Sequence, residues 1–165
     1  MTKKVENEIL IPEMAELLAE GKDVCFTPSG VSMRPYIEGG RDSVTLRKVA
    51  NVRVGDIVLA AVSGQKSEVR SQQSEVRGQK SAGGHYVLHR VIAVDGEQVT
   101  LQGDGNLSGT EQCTTADVLG TVVRIETPRG RRKLLTRGRL WYRIRGGRKW
   151  WLKIYRKLLR LGLLG

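Results

Sequence analysis

Short apolar runs separated by turn residues make up most of the chain before residue 128. Apolar side chains recur at helical spacing over residues 10 to 20, and Gly21 can end that helix. The following runs are instead short, rich in β-branched residues and bounded by Gly, Asp or Pro. They cover residues 24–27, 43–47, 56–62, 86–94, 99–102 and 116–126. The pattern predicts a mainly β domain with an N-terminal helix.

A different pattern occupies the C-terminal segment. Apolar residues there fall at i, i+3, i+4, i+7 and i+8, and Lys and Arg occupy the other faces, which predicts an amphipathic helix with a cationic face. The apolar positions are Trp151, Ile154, Tyr155, Leu158 and Leu159. From Pro128 to the C-terminus there are 14 Lys or Arg and no Asp or Glu, so the net charge of +11 belongs to this segment. The rest of the chain has 14 basic and 17 acidic residues (28 − 14 = 14).

Three interpretations of the basic segment stay open. All three tryptophans of the chain lie in it, and aromatic rings favour a water–lipid boundary, so we favour an anionic membrane surface bound through residues 131–165. The apolar stripe would alternatively dock on the β domain. Nucleic acid is the least favoured partner, because phosphate binding does not require a stripe of Trp and Leu.

Residues 63–84 differ from their surroundings. A seven-residue unit occurs twice and begins a third time, but each copy has one apolar position, too few for a coiled-coil seam. Such a composition cannot offset the entropy of ordering, so we predict a disordered insertion between two core strands.

Composition restricts the remaining possibilities. Two cysteines, Cys25 and Cys113, form neither a disulfide framework nor a zinc site, and we interpret them as partly buried thiols in a reducing compartment. No metal and no cofactor is predicted. Residues 1–8 do not resemble a signal peptide, and no run of about 18 apolar residues predicts a membrane-spanning helix. The expected location is the cytoplasm or the inner face of the membrane.

Three residues carry candidate chemistry. Ser32 lies in a turn that contains Gly30 and ends at Pro35, His89 lies inside a predicted strand, and Asp104 follows a second strand. A serine hydroxyl becomes a nucleophile when a base takes its proton, and the base works best when a third group orients it. Ser32, His89 and Asp104 supply these three roles. A simple polar turn is the alternative for the Ser32 segment.

Four short segments carry a resemblance to a known family: residues 30–35, 54–58, 89–92 and 103–106, in this order. Through them the chain resembles the signal peptidases and LexA-like serine peptidases. It is most similar to the endoplasmic-reticulum and archaeal type of signal peptidase, in which a histidine is the base. The resemblance implies a barrel-like β core, serine endopeptidase activity on a peptide or precursor protein, and an extended substrate bound along a strand edge. Residues 1–127 would form the peptidase-like domain and residues 128–165 the basic tail.

The chain departs from this family at two places. Gly30 stands where signal peptidases usually have a serine, so the oxyanion would be stabilised by backbone N–H groups near Gly30, Ser32 and Met33. The second aspartate of the eukaryotic type is also missing, and only Glu111 is acidic nearby. Asp104 therefore either orients the imidazole or holds the turn of the site.

Two other functions remain open. A peptidase-like protein without catalysis would bind peptides, and a membrane- or nucleic-acid-binding module would act through the basic tail. Self-cleavage near Ala82, where small residues end the insertion, is a further hypothesis.

Overall fold

The computed structural model describes residues 7–62, 85–106, 108–132 and 147–161. A short 3₁₀ turn, Thr115–Asp117, precedes β7. The helices and strands are α1 (Asn7–Ala19), β1 (Val24–Phe26), β2 (Ser43–Arg47), β3 (Ile57–Val62), β4 (His85–Asp95), β5 (Gln98–Gln102), β6 (Glu111–Thr114), β7 (Val118–Thr127), β8 (Gly130–Arg132) and α2 (Arg148–Arg160).

The described strands form one antiparallel sheet. Its order is β1-β2-β7-β3-β4-β5-β6, and β8 pairs with β7 outside this path. The sheet curls into a half-barrel, with a helix at each end of the chain. The prediction of a mainly β fold with an N-terminal and a C-terminal helix is confirmed. The predicted insertion, residues 63–84, and the hypothetical cleavage point at Ala82 lie outside the described residues.

Strand β3 is buried on both faces. Successive side chains of a strand point to opposite sides, so an uninterrupted apolar strand can contribute to two cores. Ile57 and Leu59 belong to one apolar cluster, and Val58, Ala60 and Val62 belong to the other. This division explains why the segment lacks the alternation of apolar and polar residues found in a half-exposed strand.

Helix α1 covers the first of these clusters. Met14 and Leu18 are buried against it, and the Leu18 methyl groups lie close to Gly120 of β7. A Cβ atom at position 120 would be 3.1 Å from Leu18 Cδ1, so the absence of a side chain there allows the close approach of helix and strand. The N-terminal helix therefore caps the core.

Two strands were not predicted from the sequence. In β6 the only buried residue is Cys113, so the strand lacks an apolar pattern, and it forms by pairing with β5. Strand β8 lies within residues 128–165, the predicted basic tail, and Gly130, with φ +114°, turns the chain back so that β8 pairs with β7. Both strands depend on a neighbouring strand for their backbone hydrogen bonds.

The two cysteines differ in environment. Cys25 of β1 is exposed, whereas Cys113 is buried. Burial, with a smaller contribution from Asp117, raises the pKa of the Cys113 thiol to about 11. The expectation of two partly buried thiols is therefore wrong for Cys25, because alternate residues of this edge strand face solvent.

Helix α2 packs on the rest of the protein. Leu152 is 1% exposed, and the Arg156 guanidinium donates a 3.1 Å hydrogen bond to the carbonyl oxygen of Gly105. Among the side chains of this helix that the structure describes, Trp150 and Trp151 are large, apolar and exposed. Leu161, directly after the end of the helix, is also exposed. Within the described ranges, neither helix is long and apolar enough to cross a membrane.

Candidate functional site

Ser32 lies in a tight turn between β1 and β2. The Arg34 amide donates to the Val31 carbonyl, and the amides of Tyr36 and Ile37 both donate to the Met33 carbonyl. The Met33 side chain is 4% exposed and joins the main apolar cluster. Backbone bonds on one side and a buried side chain on the other therefore fix the position of Ser32, which is itself half-buried.

A second turn, residues 103–106, supports the first. The Gly105 amide donates a 2.7 Å hydrogen bond to the Ser32 carbonyl. A Cβ atom at position 103 would lie 2.6 Å from the same carbonyl oxygen, so only glycine permits this contact. The two glycines around Asp104 thus allow the backbone of one turn to lie directly against the backbone of the other.

Ser32 and His89 line one cavity of about 150 Å³. Its walls come from the Ser32 turn, from residue 39 and from the first half of β4, residues 86–89. His89 is 6% exposed, and its imidazole is therefore held within the protein. No hydrogen bond joins the Ser32 hydroxyl to His89 within the described residues, as is common in unliganded sites whose contacts tighten on binding. The structure brings the predicted nucleophile and the predicted base to one site.

The imidazole of His89 is oriented by Glu111. Its Nδ1 atom lies 2.9 Å from Oε2 of the Glu111 carboxylate, which projects from the start of β6. A carboxylate only accepts hydrogen bonds, so it favours the tautomer in which Nδ1 carries the proton. Nε2 is then left as a proton acceptor.

The charge of Glu111 is stabilised at this position. The hydrogen bond with His89 is the main cause of a lowered pKa for the Glu111 carboxyl, and burial opposes it only in part. Glu111 is therefore ionised at neutral pH. A fixed negative charge beside Nδ1 favours the imidazolium that forms when Nε2 takes a proton.

Asp104 has a different partner. Its two carboxylate oxygens accept hydrogen bonds of 2.8 and 2.6 Å from Nε and Nη2 of Arg90, and Nη1 of Arg90 donates to the Gly55 carbonyl at 2.7 Å. The guanidinium also lies over the Tyr36 ring, 5.0 Å from its centre. Arg90 and Asp104 are each 1% exposed. Of the two roles considered for Asp104, this geometry fits holding the turn, and the carboxylate on His89 belongs to Glu111.

The sequence pattern did not identify Arg90 or assign a role to Glu111. Arg90 follows His89 directly, and adjacent residues of a strand point to opposite faces, so the two side chains reach different partners. The sequence feature that could have pointed to Glu111 is the missing second aspartate, since Glu111 is the only nearby carboxylate that could replace it.

The backbone around Ser32 provides candidate oxyanion donors. Neither the Ser32 amide nor the Met33 amide donates a hydrogen bond to another described residue. Gly30 has φ +101°, a conformation that side chains rarely adopt, which explains why glycine occupies this position. The residues predicted to act through their backbone thus lie in one rigid turn beside the cavity.

Gly39 controls the position of this turn. A Cβ atom at position 39 would lie 2.0 Å from the Gly30 carbonyl oxygen, a backbone atom that cannot move alone. We expect Gly39→Ala to displace the Gly30 segment and to lower the free energy of unfolding by about 1–3 kcal/mol. Chemical denaturation measures the stability, and reactivity of Ser32 toward an acylating probe measures the site.

Gly21→Ala is the matched control for that variant. Gly21 has φ +79° and nothing within 4 Å of a Cβ atom, so alanine there strains the backbone without touching the site. It is expected to lower stability by about 1 kcal/mol and to leave the reactivity of Ser32 unchanged. Equal reactivity in both variants would contradict the assigned role of Gly39.

Two larger grooves, of about 660 and 580 Å³, lie around the loop of residues 48–53. Neither groove is lined by a serine or a histidine, whereas the smaller cavity is lined by Ser32 and His89 and is therefore the candidate site. Among the described residues, no group of three or more His, Cys, Asp or Glu side chains is arranged to hold a metal ion.

No family model, no curated protein and no solved structure matches the chain.

Proposed function

We propose that this protein is a serine endopeptidase in which Ser32 is the nucleophile, His89 the general base and Glu111 the residue that orients the imidazole. The observation that carries the proposal is the combination of Ser32 and His89 in one cavity with a carboxylate on His89 Nδ1. Because Nδ1 contacts Glu111, Nε2 is the ring nitrogen of this buried histidine that stays available as a base. It is the arrangement that activates a serine hydroxyl.

The chemistry follows from these positions. The Ser32 oxygen attacks the peptide carbonyl carbon while its proton passes to Nε2 of His89. The carbonyl oxygen takes the negative charge and is stabilised by the amides of Ser32 and Met33. The C–N bond then breaks, His89 returns the proton to the leaving amine, and an acyl-serine remains. Water, deprotonated by His89, hydrolyses that ester and restores the hydroxyl.

The substrate backbone would bind along β4. One side of β4 pairs with β3 from residue 85 to residue 90, but the other side pairs with β5 only from Arg90 onward. Among the described strands, none pairs with this side of residues 85–89, so a peptide strand can extend the sheet at this edge, directly beside the cavity. The small volume of the cavity fits short side chains next to the cleaved bond.

A second candidate uses the same features without cleavage. The lack of a hydrogen bond between Ser32 and His89 among the described residues is also what a protein that binds peptides along β4 and does not cut them would show. In that case Ser32→Ala leaves peptide binding and every other measurable property unchanged.

The test combines two measurements on the full chain. An alkyl phosphonate probe is located by peptide mass spectrometry, and a mixture of synthetic peptides is searched for new termini. We expect the phosphonate on Ser32 and cleavage of a subset of peptides in the native protein, with loss of both in Ser32→Ala and in His89→Ala. Ser29→Ala is the control, since Ser29 also lines the cavity but has no assigned role.

Either of two outcomes would refute the peptidase proposal. One is a folded native protein that is neither labelled nor active on any peptide. The other is labelling or cleavage that persists in Ser32→Ala, which would place the reactive group elsewhere.

A further inference from the structure

We infer that α2 is a docked membrane-surface helix, whose outer faces bind anionic lipid while its inner face stays on the protein. This inference does not depend on the proposed peptidase activity. It rests on which side chains of α2 are buried, which are exposed and how charge is distributed between them.

The inner face of α2 is already occupied. Leu152 is buried, and Arg156 bonds to the Gly105 carbonyl. These contacts fix which sides of the helix face away from the protein.

One outward face is apolar. Trp150, Trp151 and Leu161 are 64%, 52% and 60% exposed, although each would ordinarily be covered in a water-soluble helix. The two indole rings pack edge to face, with centres 6.2 Å apart. The sequence places Trp151 in an apolar stripe that is expected to face a membrane surface or, alternatively, to dock on the β domain; Trp151 is exposed, and the buried position is Leu152.

The adjoining outward face is basic. Lys153, Lys157 and Arg160 are spaced i, i+4 and i+7, so they lie on one side of the helix, and all three are exposed. None of their three side chains forms an ion pair or hydrogen bond with another described residue. The helix itself has no acidic residue to neutralise them.

An anionic lipid surface can bind the apolar face and the basic face of α2 at the same time. Tryptophan prefers the boundary between headgroups and acyl chains, and Lys and Arg beside it attract anionic headgroups. Nucleic acid would use the basic face but would leave the apolar side chains of α2 in water. The geometry therefore favours a membrane.

The experiment measures binding of the full chain to lipid vesicles by sedimentation. We expect binding to phosphatidylcholine vesicles that contain phosphatidylglycerol, much weaker binding to phosphatidylcholine alone, and loss of binding as salt is added. The triple variant Lys153→Gln/Lys157→Gln/Arg160→Gln is expected to bind on the order of 100-fold more weakly. The double variant Trp150→Ala/Trp151→Ala is expected to bind the anionic vesicles roughly 10-fold or more weakly.

A charge-matched control separates this face from overall charge. Lys22→Gln/Arg53→Gln/Arg129→Gln removes three exposed positive charges from other parts of the chain and is expected to bind nearly as the native protein does. Fluorescence gives a second readout: in Trp141→Phe, only Trp150 and Trp151 remain, and their emission should shift to the blue on addition of anionic vesicles.

Several results would overturn the inference. Equal binding to neutral and anionic vesicles would exclude a preference for an anionic surface. Equal losses of vesicle binding in the two triple variants would exclude a specific role of the basic face of α2. Absence of vesicle binding, together with binding of a DNA fragment that depends on the basic face, would identify nucleic acid as the partner instead.

Discussion

Glu111→Gln is expected to slow acylation of Ser32 by about 10²- to 10⁴-fold. Glutamine has nearly the shape of glutamate, but its neutral amide neither favours the proton on Nδ1 nor stabilises the imidazolium. The 2.9 Å contact with Nδ1 can therefore persist while His89 loses its competence as a base. The measurement is the rate of phosphonate labelling at Ser32, with the fold checked by circular dichroism.

Glu97→Gln is the control for this variant, because Glu97 is an exposed carboxylate in the turn that joins β4 and β5. In this control, Ser32 should be labelled at the native rate. Labelling of Ser32 at the native rate in Glu111→Gln as well would contradict the role assigned to Glu111.

The Glu111 contact also predicts a dependence of stability on pH. The pKa of Glu111 is lowered in the folded protein from the ordinary value of 4.5. Its contribution to stability is thus fully present above about pH 4.5 and is lost as the pH falls through the lower, folded value. The difference in the free energy of unfolding between the native protein and Glu111→Gln should therefore become smaller as the pH is lowered.

Asp104→Asn is expected to lower the free energy of unfolding by about 3–5 kcal/mol. The Arg90 guanidinium is buried, and asparagine leaves its positive charge without a compensating carboxylate. The loss is a large part of the stability of an ordinary domain. Urea denaturation should show a midpoint lower by at least about 1 M with an unchanged slope.

An exposed pair of the same chemistry provides the control for Asp104. Arg47 forms two hydrogen bonds of 2.8 and 2.7 Å with Asp23, but the two side chains are 57% and 39% exposed. Asp23→Asn is therefore expected to have a much smaller effect. Arg90→Lys keeps the charge but cannot reproduce the guanidinium contacts, so its loss of stability should lie between those of Asp104→Asn and Asp23→Asn. Equal effects of Asp104→Asn and Asp23→Asn would contradict the structural role of Asp104.

The two predictions distinguish two kinds of carboxylate near one site. Glu111 contacts the candidate base, so its loss should alter reactivity. Asp104 is buried against Arg90 in the turn that bonds to the Ser32 carbonyl, so its loss should alter stability first. The C-terminal helix contacts the same turn through Arg156.

The sequence by itself determined the fold class and most of the strands. Apolar periodicity is a local property, and it identified α1, β3 and β4 because their buried faces are continuous along the chain. It failed for β6, where only Cys113 is buried and the strand exists through pairing with β5. Apolar periodicity likewise does not predict β8, which lies within the basic residues 128–165 and is held by pairing with β7.

The candidate nucleophile and base were also readable from the sequence, since the turn around Ser32 and the strand around His89 are distinctive local segments. Only the tertiary structure decided their partners. The start of β6 brings Glu111 to His89, while Asp104 meets Arg90, and neither pairing follows from spacing along the chain. The orientation of α2 was decided in the same way: a helix with apolar residues on several sides can dock through any of them. The contacts of Leu152 and Arg156 select one side and leave the tryptophans in solvent.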